Sequence, residues 1–312
     1  MPSDRLFPDG VIVIDKPAGP TSHDVVAVMR RRVRGHKVGH TGTLDPLASG
    51  VLPLVIGKAT RLAQFLSSAE KEYEADIELG VSTTTLDRGG EVVPHERMRS
   101  VSDLTQQMIE DAVAEFRGTY LQQPPAFSAK KIDGDRAYDL ARRKAPVDLP
   151  SVQVTAIALD VLEWSGTMLR VRLVCSAGYY VRSLADALGE RLGTGGHLAG
   201  LVRTRSGEFT ISDAIGLDVL DRRPDEAASR VIPLAALLPG LPAITLTPEG
   251  ASLAARGGFL EPAHTSATAA LPTFGRVRLF HPDGHLVAIA EPRPVVGAGG
   301  IRHVLHPNVV LE

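Results

Sequence analysis

The chain has 312 residues, of which 44% are apolar and 22% charged, and its mean hydropathy is +0.04. This composition is typical of a folded protein with room for two domains. Its one cysteine, Cys175, excludes an intrachain disulfide framework and cysteine-based metal clusters. Because no secretion signal and no apolar run of roughly 20 residues is present, we expect a cytoplasmic protein that does not enter a membrane.

The formal net charge of -2 conceals two basic segments. From Val25 to Arg61, seven lysine and arginine residues stand against Asp45 alone. From Ser128 to Lys144, six basic residues stand against three aspartates. Such segments form either solvated surfaces or surfaces that bind nucleic-acid phosphates.

The first elements are predicted to be a strand, a loop and a helix. Val11 to Ile14 is a short β-branched run, and a proline- and glycine-containing segment follows it. Thr21 or Ser22 is predicted to cap a helix that ends near Gly35.

Strands and helices then alternate irregularly. Strict alternation from Lys71 to Gly80 predicts a half-buried strand, and the helical segments are expected at about 102–116 and 181–192. Val152–Trp164 and Met168–Cys175 are predicted to pair as a hairpin. This order indicates an α+β fold with a mixed sheet and not a doubly wound one.

The composition changes after about Arg222. Residues 221–245 are rich in proline, alanine and leucine, and residues 275–311 form short β-like runs. We therefore expect a main domain at residues 1–240 and a small β-rich domain at 241–312.

One loop carries a carboxylate in a setting suited to chemistry. Asp45 lies between Gly42 and Gly50, next to Pro46, so the backbone here is expected to be irregular and fixed. A rigidly held carboxylate can attack an electron-poor carbon or stabilise a cationic one. An isolated Asp-Pro pair is more often an ordinary turn, so the pair alone decides nothing.

Six segments, in order, resemble the signature motifs of the TruB family of pseudouridine synthases. They are Asp15–Ser22, Gly39–Leu52, Lys71–Tyr73, Gln123–Lys131, Gly178–Arg182 and Gly195–Leu201. One such motif could arise by chance, but six in order identify the chain as a member of that family. The resemblance spans roughly residues 10–215 and implies a pseudouridine synthase catalytic domain at 1–240. Residues 241–312 do not match a full PUA domain, so the small β-rich domain there is a PUA-like candidate for RNA binding.

The resemblance also implies the reaction and its catalytic residues. The chain is expected to isomerise uridine 55, in the T arm of tRNA, to pseudouridine. Asp45 is expected to act on C1′ of the flipped nucleotide, with Arg182 as its ion-pair partner. Tyr73 is expected to stack on the uracil and to help remove its C5 proton.

The implied RNA-binding residues surround this catalytic group. Tyr180 and Leu201 are expected to line the base pocket, and His40 to fill the space that the flipped nucleotide leaves. The complete set of binding residues is His40, Tyr73, Tyr180, Leu201, Lys16, Lys130 and Lys131.

No cofactor is expected, because the reaction exchanges a C–N for a C–C bond without a redox step. The sequence has neither a phosphate-binding loop nor a His-Glu-x-x-His zinc motif. RNA-guided relatives share the aspartate loop, but Ala129–Tyr138 resembles the stand-alone bacterial form. We therefore expect a monomer that binds the tRNA T arm without a guide RNA.

Two other classes of protein share parts of this pattern. A glycosidase or nucleoside hydrolase could use an aspartate nucleophile, but a retaining glycosidase needs a second carboxylate, and no other one stands in a comparable loop. A non-catalytic RNA-binding protein would keep the basic segments but would not need Asp45, Tyr73 and Arg182 together.

Overall fold

The computed structural model describes residues 6–33, 35–94, 99–127, 131–132, 135–136, 149–266, 271–297 and 300–312. Its helices are α1 (Ser22–Arg32), α2 (Ala63–Ser67), α3 (Gln106–Glu115), α4 (Val181–Leu192), α5 (Leu217–Arg222), α6 (Pro224–Ser229) and α7 (Pro248–Ala255). Its strands are β1 (Gly10–Lys16), β2 (Val38–His40), β3 (Ser49–Ile56), β4 (Lys71–Leu79), β5 (Ser82–Thr83), β6 (Val92–Val93), β7 (Gly118–Gln122), β8 (Lys131–Ile132), β9 (Asp135–Arg136), β10 (Val152–Ser165), β11 (Met168–Cys175), β12 (Gly196–Ser206), β13 (Phe209–Thr210), β14 (Ile215–Gly216), β15 (Ile232–Pro233), β16 (Ala243–Thr245), β17 (Val277–Phe280), β18 (Leu286–Gly297) and β19 (Gly300–Val310).

A mixed sheet organises the larger part of the fold. Within the described ranges it has eleven strands, in the order β14-β1-β3-β12-β4-β11-β10-β7, with β2, β13 and β15 paired at its side. The pairs β1–β14 and β3–β12 are parallel, and the other pairs are antiparallel. The predicted α+β fold with a mixed sheet is therefore confirmed.

The central strands β1 and β3 are buried on both faces. On β1, Ile12 and Ile14 join the main core with helices α1 and α4, whereas Val11 and Val13 join a second apolar cluster. That second cluster also contains Leu286, Ile289 and Leu311 from the C-terminal strands. Burial on both faces explains why these strands read as continuous apolar runs.

Strand β4 is buried on one face only, as its alternation predicts. Tyr73 and Ala75 point into the main core, while Glu72 and Asp76 lie on the opposite face. The acidic residues on that face pair with arginines of neighbouring strands, for example Asp76 with Arg170 at 2.7 Å. The alternation therefore directs the Tyr73 ring toward the side of the sheet that carries the helices.

The predicted helices form, with one boundary difference. Thr21 caps α1, and α4 covers the predicted residues 181–192. The helix expected from about residue 102 begins only at Gln106, because Val101–Asp103 forms a separate 3-10 turn and Thr105 caps α3.

The C-terminal strands form their own four-stranded sheet, β16-β17-β18-β19, which confirms a small β domain. Arg278 on β17 donates to the carbonyls of Leu237 and Leu241 in the preceding segment. The division at residue 240 stays a prediction. Among the described residues, no helix is long and apolar enough to cross a membrane.

Candidate active site

Asp45 lies in a loop of residues 41–48 that joins β2 to β3, and side chains from elsewhere hold this loop. The hydroxyl of Ser22, at the start of α1, accepts from the Leu44 amide at 2.8 Å and donates to the Leu44 carbonyl at 2.9 Å. The Gly19 amide donates to the Pro46 carbonyl at 2.7 Å. The backbone on both sides of Asp45 is therefore fixed.

Lys16 supports the same loop from the end of β1. Its side chain has no solvent exposure, and its ammonium donates to the carbonyls of Ala48 at 2.7 Å and Pro17 at 2.9 Å. Burial lowers the pKa of Lys16 to about 8, partly offset by the negative charge of Asp45. Lys16 was expected to contact RNA, but the structure buries it beneath the loop that carries Asp45 instead of exposing it at the surface.

Arg203 on β12 is a second buried cation, and no sequence motif pointed to it. It is 1% exposed, and its guanidinium donates to the carbonyls of Val51 at 2.7 Å, Gly42 at 3.1 Å and Thr43 at 3.4 Å. One planar group thus holds the loop at its start and at its exit into β3. The sequence feature that could have indicated this burial is the alternation of the strand, since Arg203 lies on the same face as Leu201.

A glycine allows β3 and β12 to meet at this point. Gly50 pairs with Arg203 across the two parallel strands and has a φ of 97°. A Cβ atom at Gly50 would lie 2.3 Å from the Arg203 carbonyl oxygen. Only glycine fits this position without displacing the strand that carries Arg203.

The predicted pair of Asp45 and Arg182 is present. Arg182 Nε lies 2.8 Å from Asp45 Oδ2, and the arginine is only 7% exposed. Its terminal nitrogens donate to the carbonyls of Phe127 at 2.9 Å and Thr85 at 3.4 Å, so three segments meet at one guanidinium. Asp45 keeps 35% of its side chain exposed and accessible to a ligand.

Tyr73 and Leu201 lie on the same side of the sheet as Arg203. On adjacent strands, Tyr73 pairs with Arg203 and Ala75 pairs with Leu201. Burial raises the pKa of the Tyr73 phenol, and the positive charge of Arg203 opposes this only in part. The neutral phenol is therefore the stable form in the free protein, which suits a stacking surface better than a base.

His40 and Tyr180 have partly buried positions near this group. His40 ends β2, and its Nδ1 accepts from the Gly42 amide at 3.3 Å. Burial, with the charges of Arg203 and His23, lowers the pKa of His40 and favours the neutral ring. Tyr180 directly precedes α4, and the amide side chain of Gln122 bonds its backbone N–H and carbonyl at 2.8 and 3.0 Å.

The two remaining predicted RNA-binding residues cannot be placed in the site. Lys130 lies outside the described residues. Lys131 begins the short strand β8, of which the backbone alone is described. Their predicted roles stay predictions.

Comparisons with known proteins show to which family the chain belongs. A model described as TruB family pseudouridylate synthase (N terminal domain) matches residues 30–181, and one described as tRNA pseudouridylate synthase B C-terminal domain matches residues 182–238. The tRNA pseudouridine synthase B of Solibacter usitatus (strain Ellin6076) is 45% identical over 309 residues, covering 97% of this chain and 100% of that protein. Its counterpart from Geobacillus thermodenitrificans (strain NG80-2) is 36% identical, with 97% of each chain covered.

The chain belongs to the TruB family of pseudouridine synthases. It is therefore an isomerase. A solved structure described as a Cbf5-Nop10-Gar1 complex matches this TruB family member with a TM-score of 0.71 and 25% identity, over 99% of this chain and 90% of the other. The pseudouridine synthase fold is confirmed.

Replacing Arg203 should impair catalysis in this TruB family member. In Arg203→Lys a single ammonium cannot reach the Gly42, Thr43 and Val51 carbonyls together, so the loop around Asp45 loses its fixed geometry. We expect kcat to fall roughly 10- to 100-fold, as is typical of small displacements of a catalytic group, with RNA affinity nearly unchanged.

The matched control is Arg205→Lys on the same strand, where the arginine pairs with Glu72 on the other face of the sheet. Rates of pseudouridine formation under saturating RNA would be compared for both variants. Equal rates for Arg203→Lys and Arg205→Lys would show that the carbonyl contacts of Arg203 do not matter for catalysis.

The lowered pKa of Lys16 predicts a pH-dependent stability. The folded chain releases the Lys16 proton near pH 8, whereas the unfolded chain keeps it up to the ordinary value of 10.5. Because the unfolded state then binds more protons, the free energy of unfolding of the wild type should rise with pH, relative to Lys16→Met, across that window. Below about pH 8 the difference should be constant.

Urea unfolding of both proteins between pH 7 and 10.5 measures this difference, with the surface variant Lys37→Met as a control. A constant difference across the whole range would rule out a lowered pKa for Lys16.

Proposed function

We propose that this chain converts uridine 55, in the T arm of tRNA, to pseudouridine. The observation that carries the proposal is the ion pair between Asp45 and the buried Arg182, at 2.8 Å, on a loop whose backbone is held on both sides. The relatives that are 36–45% identical are named tRNA pseudouridine synthase B, which supports tRNA as the substrate.

The reaction requires bond exchange at C1′ of the ribose. The C1′–N1 bond breaks, the uracil turns, and a C1′–C5 bond forms. The C5 proton is then lost and N1 gains a proton, so the change is an isomerisation. Asp45 is the group that attacks or stabilises the electron-poor C1′ while the base is detached.

Arg182 positions the nucleophile. Its Nε binds one oxygen of Asp45, and its other nitrogens are engaged by backbone carbonyls, so the guanidinium has little freedom to move. A charge-assisted hydrogen bond of this kind fixes the direction of the carboxylate. The exposed part of Asp45 is then presented to the ribose.

A base inside a folded RNA must leave its stack to reach Asp45. Tyr73, with a phenol that burial keeps neutral, provides an aromatic surface for the detached uracil. Tyr180 and Leu201 complete the base pocket in this proposal. His40, in its neutral form and five residues before Asp45, is suited to take the space of the flipped base among stacked neighbours.

Basic residues beside β2 are suited to hold the RNA backbone. A surface depression of about 440 Å³ is lined by Arg30, His36, Lys37 and Gly39, among others. It adjoins the strand that ends at His40, so phosphates bound there would lie next to the entrance of the site. Lys130 and Lys131 are proposed to contribute from the second basic segment.

We further propose that the chain acts alone on its tRNA, as a monomer and without a guide RNA, in the cytoplasm. Its identity to the relatives named tRNA pseudouridine synthase B, at 36–45%, exceeds the 25% identity to the chain of the Cbf5-Nop10-Gar1 complex, which supports this proposal. The proposed domain division at residue 240 agrees with the second family match, which ends at residue 238, and the C-terminal domain is proposed to contact RNA outside the T loop.

Asp45→Asn should abolish isomerisation and leave tRNA affinity within a few fold. The amide keeps the size of the side chain but cannot act as a nucleophile or stabilise a cation. Tritium release from tRNA transcript labelled at C5 of uridine measures turnover, and filter binding measures affinity. The control is Asp103→Asn, in an exposed turn.

The same assay tests whether uridine 55 is the modified nucleotide. A transcript with cytidine in place of uridine 55 should give no release with the wild type. Release from that transcript would contradict the assignment to position 55, and turnover by Asp45→Asn would contradict the role of the aspartate.

The double variant Lys130→Gln and Lys131→Gln should bind tRNA with a weaker dependence on salt. Each lost phosphate contact is expected to lower the slope of log affinity against log salt by about 0.7–0.9. Arg170→Gln, whose arginine pairs with Asp76, is the control and should leave the slope unchanged. A double variant with the wild-type slope would remove these lysines from the RNA-binding surface.

A further inference from the structure

The turn between β17 and β18 carries three side chains with the chemistry of metal ligands. His281, Asp283 and His285 alternate along the turn, and one ligand atom from each lies within 4.8 Å of the others. These residues lie in the C-terminal domain, and the proposed catalytic group does not include them. Histidine nitrogens and a carboxylate oxygen are ligands that Zn²⁺ prefers.

The geometry of the turn brings the two imidazoles together. The His281 amide donates to the His285 carbonyl at 2.9 Å, and the Gly284 amide donates to the His281 carbonyl at 2.9 Å. Gly284 has a φ of 94°, which closes the turn after Pro282 and Asp283. The two rings consequently stack, with centroids 4.5 Å apart and planes inclined by 16°.

The carboxylate of Asp283 lies between the two rings. Its Oδ1 is 2.9 Å from Nδ1 of His281 and 2.5 Å from Nδ1 of His285. A tetrahedral ion with bonds of about 2.0–2.1 Å requires its ligand atoms to stand roughly 3.3 Å apart. Small side-chain rotations in this exposed turn are enough to open that space.

A fourth residue holds one of the rings from behind. Nε2 of His285, the nitrogen that faces away from Asp283, lies 2.8 Å from Oε1 of Glu312. Metal-binding histidines commonly donate their second N–H to a carboxylate, which fixes the tautomer and makes the ligating nitrogen more basic. This contact leaves Nδ1 of His285 directed toward Asp283 and the proposed site.

We propose that His281 Nδ1, Asp283 Oδ1 and His285 Nδ1 bind a divalent first-row metal ion of the Zn²⁺ class. Water completes the coordination, since the three side chains are 32%, 60% and 47% exposed. Binding displaces the protons that the imidazole nitrogens now share with the carboxylate. The metal-free alternative is a hydrogen-bonded His-Asp-His turn.

The site adjoins the junction of the two sheets. His285 and Glu312 line a groove of about 520 Å³ together with Asp9, Lys58 and Leu234, which belong to the larger part of the fold. A metal ion would hold the β17–β18 turn at this groove and, through Glu312, also the segment that follows β19. The expected consequence is structural, and the isomerisation itself does not require the ion.

The test is titration of the full-length, tag-free and chelator-treated protein with ZnCl₂ by calorimetry. We expect saturation at one ion per chain and a rise in the unfolding temperature at saturating Zn²⁺. In Asp283→Asn and His281→Gln the affinity should fall at least tenfold. Asparagine is an accepted turn residue, so the first variant is expected to retain the turn.

Matched controls separate this site from general binding by histidines. His303→Gln, on β19 and outside the cluster, should bind like the wild type. Co²⁺ provides a second readout, because nitrogen and oxygen ligands in a tetrahedral site give it a characteristic visible absorption. No saturable binding to the wild type, or equal affinity in all three variants, would overturn the proposal.

Discussion

The loop that carries Asp45 depends on side-chain hydrogen-bond donors, because its carbonyl groups have no backbone partners in the sheet. Between β2 and β3 the chain leaves the sheet, so the carbonyls of residues 42–48 have no ladder partners, and a buried carbonyl without a donor is costly. Arg203 on β12, Lys16 on β1 and Ser22 on α1 supply donors. The shape of the loop is therefore set by how a helix and two strands pack beneath it.

These hydrogen bonds place the buried cations Lys16 and Arg203, with Arg182, around the carboxylate of Asp45. Burying a cation costs several kcal/mol unless hydrogen bonds and an opposite charge compensate it. The carbonyls of the loop compensate Lys16 and Arg203, and Asp45 pairs directly with Arg182. The lowered pKa of Lys16 shows that the compensation is incomplete, since burial outweighs the attraction of Asp45.

The elements that could be predicted are those that depend on patterns among residues close together in the sequence. The alternation of β4, the cap of α1 and the residues of α4 follow from patterns within a dozen residues, and the structure confirms them. The pairing of Asp45 with Arg182 joins residues 137 positions apart and came from the family motifs, because periodicity carries no information on such a distance.

Contacts that depend on the assembled core could not be predicted in this way. Arg203 stands in the segment Val202-Arg203-Thr204-Arg205, where alternation alone would place both arginines on one face of the strand. Only the pairing of β12 with β3 and β4 decides that Arg203 points inward. The burial of Lys16 could not be predicted either. A lysine next to a loop of proline and glycine is usually exposed, and only the assembled core shows that this one is not.

The packing of β3 links the loop that carries Asp45 to the C-terminal sheet. Leu52 and Leu54 face the main core beneath the loop, whereas Val51 and Val55 face the apolar cluster that contains Ile289 and Leu311. The strand that leaves the loop is thus covered by the main core on one face and by the C-terminal sheet on the other. The boundary predicted at residue 240 falls between the strands of the two sheets along the chain, but the apolar cluster contains residues from both sides of it. The C-terminal sheet consequently supports the strand that fixes one end of the loop.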